Sequence, residues 1–365
     1  MKILVFGMSG DILGGIERYL LNMNKEFDSL EFGYVIEGSC CIFKDDIEKM
    51  KEDLYYVFPK KESIYRNLRD INYLLKKQKD KYSGVYFNIV GAYHFMPFIL
   101  AKIYGYKVIF HSHNVDTSTP SNFIKLMDNI GRFIIYRLKA LRLGCSEKAG
   151  KWIFGDKKFI VIRNAIYVED FAFSEKIRQK RRALLKCEEN FIIGFVGRLS
   201  NQKNPLRLIS VFIEILKYKK ESKLLIIGDG ELKKSLQVAV SEHHIEDKVI
   251  LLGNSNDVGE WMQAMDIFVF PTKYEGLGIA LIEAQASGLR CFVPEGVIPK
   301  EAILTNLIHE EPNVGDEGIW GKDCSKDLYI DRTVYKEKIV AGGYDIHKEA
   351  KRLEKIIFKY CIDNR

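Results

Sequence analysis

Short apolar runs, each closed by glycine or a polar residue and followed by helical spacing, recur along this chain. The first run covers residues 2–6; four glycines follow between residues 7 and 15, and helical spacing resumes over 16–23. Runs that are apolar at successive positions are typical of strands buried on both faces, and their alternation with helices is typical of parallel sheets. This alternation predicts the α/β fold class.

The alternation occurs in both halves of the chain, which predicts two sheets. In the first half a helix is expected over 92–104, and strands at 2–6, 85–90, 108–110 and 159–162. In the second half helices are expected over 205–217 and 277–287, and strands at 191–196, 223–227, 249–252, 267–270 and 291–293. Five strands, each followed by a helix or a turn, indicate a second Rossmann-like sheet.

The chain length indicates two domains, because 365 residues exceed one core of ordinary size. We expect the boundary just after the strand at 159–162. This gives an N-terminal Rossmann-like domain over 1–165 and a C-terminal Rossmann-like domain over 166–344. The last segment, 345–365, has apolar residues at helical spacing and is predicted to form a C-terminal helix.

The composition restricts the partners and the compartment. Apolar residues make up 47% and charged residues 29%, as in ordinary globular proteins; the net charge of +7 suits anionic partners without indicating nucleic acid. None of the seven cysteines forms a pair with CxxC spacing, so we expect a cytoplasmic protein without a disulfide framework or a zinc site. Residues 1–10 are interpreted as a strand rather than a signal peptide, and no apolar run has the length of a membrane span.

Charged residues follow two of the predicted strands in the second half. Arg198 and Lys203 come after the strand at 191–196, while Glu275 and Glu283 are eight residues apart, about two helical turns. Alone, the two glutamates would fit solvated helix charges. Because ligands of parallel α/β sheets bind at the carboxyl ends of strands, and because two cations suit a diphosphate, the combination favours a binding site. The two glycines that follow Glu275 would let backbone N–H groups approach an anion at a helix start.

At these residues the chain resembles the family 4 glycosyltransferases of the GT-B fold, and most closely the bacterial exopolysaccharide and capsule transferases. The segments that carry the resemblance are Gly14-Gly15-Ile16-Glu17, His111-Ser112-His113-Asn114, Val161-Ile162-Arg163-Asn164-Ala165, and Tyr274-Glu275-Gly276-Leu277 followed by Leu281-Ile282-Glu283-Ala284-Gln285-Ala286. The resemblance runs nearly end to end. It implies two Rossmann-like domains facing across a cleft, with the C-terminal helix returning to the N-terminal domain.

The resemblance also implies a role for each residue around the nucleotide. Arg198 and Lys203 would grip the diphosphate of a sugar donor and stabilise it as the leaving group. Glu283 would accept hydrogen bonds from the ribose hydroxyls. Gly253 and Asn254, at a strand end, would lie near the base.

Further residues would surround the donor sugar. The catalytic set implied by the resemblance joins His113 and Glu275 to the two cations above. Gly15 would close over the diphosphate, and His113 would lie beside the sugar and the acceptor hydroxyl. Taken alone, His113 is equally compatible with a buried packing histidine. Glu275 would hold the sugar together with the residues that follow it, namely Gly276, Leu277, Gly278 and Ile279.

The reaction implied by the resemblance is transfer with retention of anomeric configuration. A hexose or N-acetylhexosamine would move from a nucleotide-diphosphate sugar, a UDP-sugar by the habit of the family, to a saccharide acceptor. The acceptor would be lipid-linked, and the pathway exopolysaccharide or capsule biosynthesis. Because fixed cations can stabilise a leaving diphosphate, and no Asp-x-Asp follows a strand, we expect no metal and no cofactor.

Two other functions stay open at this point. A nucleotide-sugar epimerase can also use two Rossmann-like domains, and it would act on the donor without an acceptor. A non-catalytic sugar-nucleotide-binding subunit would keep the fold and tolerate loss of Glu275 or Lys203.

One segment indicates peripheral membrane contact. Residues 123–143 interleave Phe, Ile and Leu with Lys125, Arg132, Arg137, Lys139 and Arg142 against the single acid Asp128. We expect a basic amphipathic helix, which can lie on the anionic inner face of a plasma membrane. A domain helix with a solvated basic face fits the same pattern.

Overall fold

The computed structural model of the chain describes residues 1–11, 14–113, 121–313 and 315–362. It divides into two compact units. Unit 1 comprises Met1–Ile166 and Asp345–Arg365, and unit 2 comprises Tyr167–Tyr344. Asn114, which ends the histidine segment noted above, lies outside the described residues.

Unit 1 contains a seven-stranded sheet in which every neighbouring pair of strands is parallel. The strand order is β3-β2-β1-β4-β5-β6-β7. The strands are β1 Lys2–Ser9, β2 Glu31–Glu37, β3 Asp53–Val57, β4 Gly84–Ile89, β5 Lys107–Ser112, β6 Leu141–Gly144 and β7 Ile160–Val161. The middle strands are almost entirely buried, as their continuous apolar runs predict.

Among the described residues, six helices connect the strands of unit 1. They are α1 Gly15–Lys25, α2 Lys44–Lys49, α3 Ile64–Lys77, α4 Met96–Ile103, α5 Asn122–Arg137 and α6 Glu147–Phe154. The helix predicted from residue 92 begins only at Met96. Pro97 lies in its first turn, where the missing N–H removes no helical hydrogen bond.

The helix predicted over 123–143 is wrong at its C-terminal end. It stops at Arg137; Leu138 is extended, and Leu141–Gly144 form β6 between β5 and β7. Arg142, on that strand, donates to carbonyl oxygens at the end of α5, those of Ile135 at 3.2 Å and of the C-cap residue Leu138 at 2.8 Å. Arg142 therefore closes the helix instead of extending its basic face.

Unit 2 contains a six-stranded sheet, also with parallel neighbours throughout. The strand order is β10-β9-β8-β11-β12-β13. The strands are β8 Ile192–Val196, β9 Lys223–Ile227, β10 Val249–Gly253, β11 Ile267–Val269, β12 Arg290–Pro294 and β13 Ile308–Glu311. The helices are α7 Glu175–Leu185, α8 Pro205–Tyr218, α9 Lys233–Glu242, α10 Val258–Ala264, α11 Ile279–Ala286, α12 Glu317–Cys324 and α13 Tyr335–Ala341.

The last helix, α14 Ile346–Ile362, belongs to unit 1, which confirms that the C-terminal helix returns to the N-terminal half. Its Glu354 is buried and accepts hydrogen bonds from three successive backbone N–H groups, those of Asp28, Ser29 and Leu30, at 3.3, 2.7 and 2.8 Å. This carboxylate fixes α14 against the turn that leads into β2.

Each sheet reverses its strand order once. In unit 1 the chain runs outward from β1 to β3 and then restarts on the other side of β1 with β4; in unit 2 the same reversal separates β8 from β11. Loops that leave the carboxyl ends of such a strand pair diverge to opposite sides of the sheet and open a crevice, where ligands of α/β proteins bind. Both units therefore have a topological switch point suited to a ligand.

Candidate active site

The loop after β8 and the loop after β11 meet at the switch point of unit 2. The backbone N–H of Lys273 donates to the carbonyl oxygen of Gln202 at 2.8 Å. The Gln202 side-chain amide donates to the carbonyl oxygen of Tyr274 at 2.9 Å. These hydrogen bonds hold the residues that follow the two strands at a fixed separation.

Lys203 and Glu275, the two predicted site residues on these loops, form an ion pair. The Lys203 Nζ lies 2.5 Å from Glu275 Oε1, and the two side chains are 19% and 5% exposed. The Thr272 hydroxyl donates to the same carboxylate oxygen at 2.8 Å, and the Lys203 ammonium lies 4.6 Å from the centroid of the Phe270 ring. The ammonium and the carboxylate are therefore held in place by several independent contacts within the chain.

Arg198 lies on the same loop but takes a different partner. Its Nε is 3.3 Å from a carboxylate oxygen of Glu231, and both side chains are more than half exposed. Exposed ion pairs contribute little free energy, so this guanidinium can be redirected to a ligand at small cost. The structure thus brings Lys203 to Glu275 and Arg198 to Glu231.

Glycines line the carboxyl ends of three adjacent strands. A Cβ atom on Gly228 would lie 2.0 Å from the carbonyl oxygen of Gly197, so the loop after β9 packs directly on the loop after β8. The N–H of Gly228 donates to the carbonyl oxygen of Gly253 at 2.8 Å, and Gly253 has φ +76°. Asn254, the next predicted residue, is exposed. The Gly228-Asp229-Gly230 segment therefore supports the loop that bears Lys203.

The N-terminus of α11 follows Glu275 directly. Gly278 has φ +82° and occupies the N-cap position, preceded by half-buried Gly276 and buried Leu277; Ile279 begins the helix. The first N–H groups of a helix have no partner inside it and carry the positive end of the helix dipole. Glu283 lies one turn further along and is buried. The helix start can hold an anion next to the Lys203–Glu275 pair.

In unit 1 the glycine segment after β1 is held by Glu17. This carboxylate accepts hydrogen bonds from the N–H groups of Ser9 and Gly14 at 2.9 and 3.1 Å, and burial raises its pKa. Gly14 is the N-cap of α1 and Gly15 its first residue. The Gly-Gly-x-Glu spacing is thus a capping arrangement that fixes the start of α1.

His113 follows β5, and its ring is fixed in one tautomer. Its Nε2 lies 2.9 Å from Asn88 Oδ1, and the Asn88 amide nitrogen in turn donates to the Phe6 carbonyl oxygen at 2.9 Å. Because the Asn88 oxygen can only accept, His113 Nε2 must carry the proton. Burial lowers the pKa of His113 to about 3, so the ring is neutral and its lone pair is on Nδ1, which has no hydrogen-bond partner among the described residues.

His111 lies underneath, in the same buried cluster. Its Nδ1 is 2.5 Å from the Tyr86 hydroxyl, its ring centroid is 4.0 Å from that of His113, and the Tyr19 ring contacts both imidazoles edge-on. Burial, followed by the neighbouring His113, lowers the pKa of His111 well below its usual range. Its contacts are those of a packing residue.

Sequence reasoning missed Asn88 and Thr272. Asn88 is the polar residue within an otherwise apolar strand, and it pairs in register with His111, two residues before His113. A polar residue within an apolar run was a sequence signal that could have identified Asn88. Thr272 lies three residues before Glu275 and is fully buried, so its side chain had to find a partner within the loop.

Residues 176–309 match the family model described as Glycosyl transferases group 1. The chain contains a glycosyl transferases group 1 domain. This group 1 domain includes the β8 and β11 loops, the Lys203–Glu275 pair and the start of α11.

The similarity to known proteins extends beyond the group 1 domain. EpsF of Bacillus subtilis (strain 168), which carries the name of a glycosyltransferase, is 26% identical over 94% of this chain and 93% of its own length. The Escherichia coli UDP-Gal:alpha-D-GlcNAc-diphosphoundecaprenol alpha-1,3-galactosyltransferase is 29% identical over 75% of this chain and 79% of its own. The crystal structure of Anabaena Alr3699/HepE in complex with UDP has a TM-score of 0.80 and 18% identity, covering 98% of this chain and all of HepE. The fold is that of the GT-B glycosyltransferases, as predicted.

Proposed function

We propose that this chain is a retaining glycosyltransferase of family 4. It would move a hexose or N-acetylhexosamine from a UDP-sugar to a lipid-linked saccharide in exopolysaccharide or capsule biosynthesis. The group 1 domain supports the glycosyl transfer, and the name of the E. coli relative supports a UDP-sugar donor and a diphospholipid-linked acceptor. The UDP bound in the HepE crystal structure supports the same nucleotide.

The observation that carries the proposal is the Lys203–Glu275 pair at the switch point of unit 2. Within the pair each charge neutralises the other. A donor diphosphate would take up Lys203 and Arg198 as counterions and accept hydrogen bonds from the N–H groups at the start of α11. Glu275 would keep Lys203 in position while it accepts hydrogen bonds from hydroxyls of the donor sugar, with the backbone of 276–279 beside it.

The proposed chemical step breaks the bond between the anomeric carbon and the leaving phosphate oxygen. The acceptor oxygen forms its bond on the same face of the sugar, and the acceptor proton passes to the leaving phosphate. Negative charge therefore develops on the diphosphate, and cations fixed beside it stabilise the transition state more than the ground state. Glu283 would bind the ribose hydroxyls, and Gly253 and Asn254 would lie by the base.

Two residues of unit 1 complete the proposal. Gly15 would offer its N–H at the start of α1 to the diphosphate, because that position lies at the positive end of the helix dipole. His113 would accept a hydrogen bond from a sugar hydroxyl through Nδ1, the ring nitrogen without a proton. In this tautomer His113 positions the sugar and does not act as a proton donor there.

We propose that transfer needs neither a metal nor a cofactor, because fixed cations supply the positive charge. The protein would act on the cytoplasmic face of the membrane that carries its acceptor. Insensitivity of the rate to EDTA is the expected result for the first point.

The test is transfer from a panel of UDP- and GDP-sugars to a diphospholipid-linked saccharide, with the anomeric configuration of the product read by NMR. We expect one UDP-sugar to be used and the α-configuration of the donor to be kept. Lys203→Met and Glu275→Gln should each lower the rate at least a hundredfold, the range seen when one group that stabilises the transition-state charge is removed. Lys217→Met, which breaks an exposed pair with Glu214 in the same unit, is the matched control.

Three results would contradict the proposal. An isomerised sugar nucleotide formed from the donor alone would show an epimerase. Unchanged transfer in both site variants would show that the pair is not part of the active site. Binding of UDP, seen as a rise in thermal stability, without transfer to any acceptor would show a non-catalytic binder.

A further inference from the structure

The two oxygens of the Glu275 carboxylate have different surroundings. Oε1 lies 2.5 Å from the Lys203 ammonium and accepts a hydrogen bond from the Thr272 hydroxyl at 2.8 Å. Oε2 accepts no hydrogen bond from any residue that the structure describes, although Glu275 as a whole is only 4% exposed. Buried polar atoms are almost always paired, so an unpaired carboxylate oxygen at this depth indicates a partner that is not part of the chain.

Oε2 lies at the start of α11. A Cβ atom on Gly278, the N-cap residue of that helix, would lie 3.8 Å from Oε2 and 3.7 Å from the Glu275 Cγ atom. An ionised carboxylate oxygen can only accept hydrogen bonds, and phosphate oxygens without protons can only accept as well. A hydroxyl group can donate. The chemistry of Oε2 therefore suits a hydroxyl of the donor sugar and does not suit the diphosphate.

The Thr272 hydroxyl has a single proton, and its surroundings assign that proton to Glu275. The hydroxyl oxygen also lies 3.1 Å from the Gln202 carbonyl oxygen and 3.2 Å from that of Tyr274. Both carbonyl oxygens have other donors, namely the Lys273 N–H at 2.8 Å for the first and the Gln202 side-chain amide at 2.9 Å for the second. The carboxylate is the nearest of the three acceptors and, because it is charged, the strongest.

Thr272 is itself held in a fixed position. It is fully buried, and it follows Pro271, whose ring restricts the backbone just after β11. The N–H of Phe270 still donates to the carbonyl oxygen of Phe292 on β12 at 2.9 Å, so pairing with the sheet continues almost to Thr272. The last torsion of a glutamate side chain has a broad, two-fold preference, so a carboxylate held by a lysine alone can exchange its oxygens. A second donor from a fixed direction removes this freedom.

We propose that Thr272 is a positioning residue for recognition of the donor sugar. By occupying Oε1 together with Lys203, it directs Oε2 to one hydroxyl group of the sugar. Epimeric sugars differ in the direction of one hydroxyl, so the fixed direction of Oε2 distinguishes one UDP-sugar from another. This inference rests on the proposed function and adds to it the residue on which the choice of sugar depends.

The test compares the wild type with Thr272→Val, which keeps the branched shape without the hydroxyl, and with Thr272→Ser, which keeps the hydroxyl. Affinities for UDP, UDP-glucose, UDP-galactose and their N-acetylhexosamine counterparts are measured by calorimetry, and transfer from each sugar nucleotide is measured in parallel. We expect Thr272→Val to bind UDP like the wild type. For the preferred sugar nucleotide, kcat/KM should fall about tenfold or more, because a displaced carboxylate no longer meets the sugar hydroxyl. Thr272→Ser should behave like the wild type.

Two controls separate positioning from a general loss of structure. In a Glu275→Gln background, Thr272→Val should not change the sugar preference further, because Thr272 acts through that carboxylate. Thr305→Val removes a hydroxyl that donates to Gln285 Oε1 at 3.0 Å in the same unit. This variant should be less stable in urea and should keep the sugar preference of the wild type.

The proposal is overturned if Thr272→Val keeps the full sugar preference and transfer rate of the wild type. It is also overturned if Thr272→Val weakens UDP and the UDP-sugars by the same factor, since the hydroxyl would then only support the loop. A wild type that binds none of these nucleotides would contradict the proposed function and this inference together. A wild type that transfers one sugar, with unchanged preference in Thr272→Val, would contradict the role of Thr272 alone.

Discussion

The buried ion pair of unit 2 gives the most quantitative prediction. Lys203→Met keeps the length and apolar stem of the side chain and removes its charge, leaving Glu275 buried beside the Thr272 hydroxyl. Removing one partner of a buried pair costs about 3–5 kcal/mol in unfolding free energy. Because the hydroxyl still donates to the carboxylate, we expect the lower end, about 3 kcal/mol.

The reverse substitution should cost less. Glu275→Gln leaves a lysine that is 19% exposed and whose flexible stem can carry the ammonium to water. We expect about 1–2 kcal/mol for it, and a similar cost for the double variant Lys203→Met/Glu275→Gln, since neither buried charge then remains. The coupling energy of the pair should accordingly be about 3 kcal/mol, the cost of the Lys203 variant alone.

The assay is urea unfolding followed by tryptophan fluorescence. Of the three tryptophans, Trp261 and Trp320 are in unit 2 and Trp152 is in unit 1, so a Trp152→Phe background reports unit 2 alone. This matters because two units need not unfold in one transition. The control cycle uses the exposed pair of Lys217 and Glu214, for which coupling of a few tenths of a kcal/mol is expected.

Additive costs in the Lys203 and Glu275 variants, within about 0.5 kcal/mol, would refute the reasoning, because two groups in contact at 2.5 Å in a buried setting must couple. Coupling as large in the control cycle would refute it as well, since the effect would then not depend on burial.

Three further predictions concern unit 1. The pKa of His113 is about 3 in the folded chain against an ordinary 6.5, so the unfolded state alone takes up its proton below pH 6.5. His113 should therefore lower the unfolding free energy by about 1 kcal/mol per pH unit between pH 6.5 and 4. His113→Gln should reduce the slope by that amount and leave the part due to His111, whose pKa is also lowered by burial; a slope equal to that of the wild type would contradict the prediction. Asn88→Asp should place a carboxylate beside Nε2 and raise the pKa of His113, visible as a shifted imidazole titration by NMR, whereas Asn88→Ser should not. Glu354→Ala should lower the stability of unit 1 by about 2–4 kcal/mol, because three backbone N–H groups lose their acceptor; an effect below about 1 kcal/mol would show that water replaces it.

The sequence predicted the strands that appear as apolar runs and missed others. Strands β1, β4, β5 and β7 to β12 coincide with such runs, and each was predicted. β2 was missed because Gly33 interrupts its run; a Cβ there would lie 2.3 Å from the Tyr82 hydroxyl, which explains the glycine only once the fold is known. β3 lies at the edge of the sheet and is largely half-buried, so its sequence carries no alternation or run.

The candidate site was also predicted in part. The positions of the strand ends alone predict that the residues after β8 and β11 lie in one region. The structure agrees, because Lys203 and Glu275 are in contact. The exposed ion pair of Arg198 with Glu231 depends on how far the two side chains extend, and the spacing of residues in the sequence does not predict this. The tautomer of His113 depends on the register that places Asn88 on the neighbouring strand, and register is a property of the folded sheet.

The path of the backbone between the units affects how unit 2 can be exchanged between related proteins. Ile166, the last residue before unit 2, and Asp345, the first after it, form a parallel bridge, and the Ile346 N–H donates to the Ile166 carbonyl oxygen at 3.1 Å. The entrance and the exit of unit 2 are therefore neighbours. A segment whose two ends are adjacent can be replaced as a whole by joining the chain at two points, and the path of the surrounding domain is then unchanged. Recombination at these two points would exchange the 167–344 module while leaving the first sheet, its histidine cluster and α5 intact.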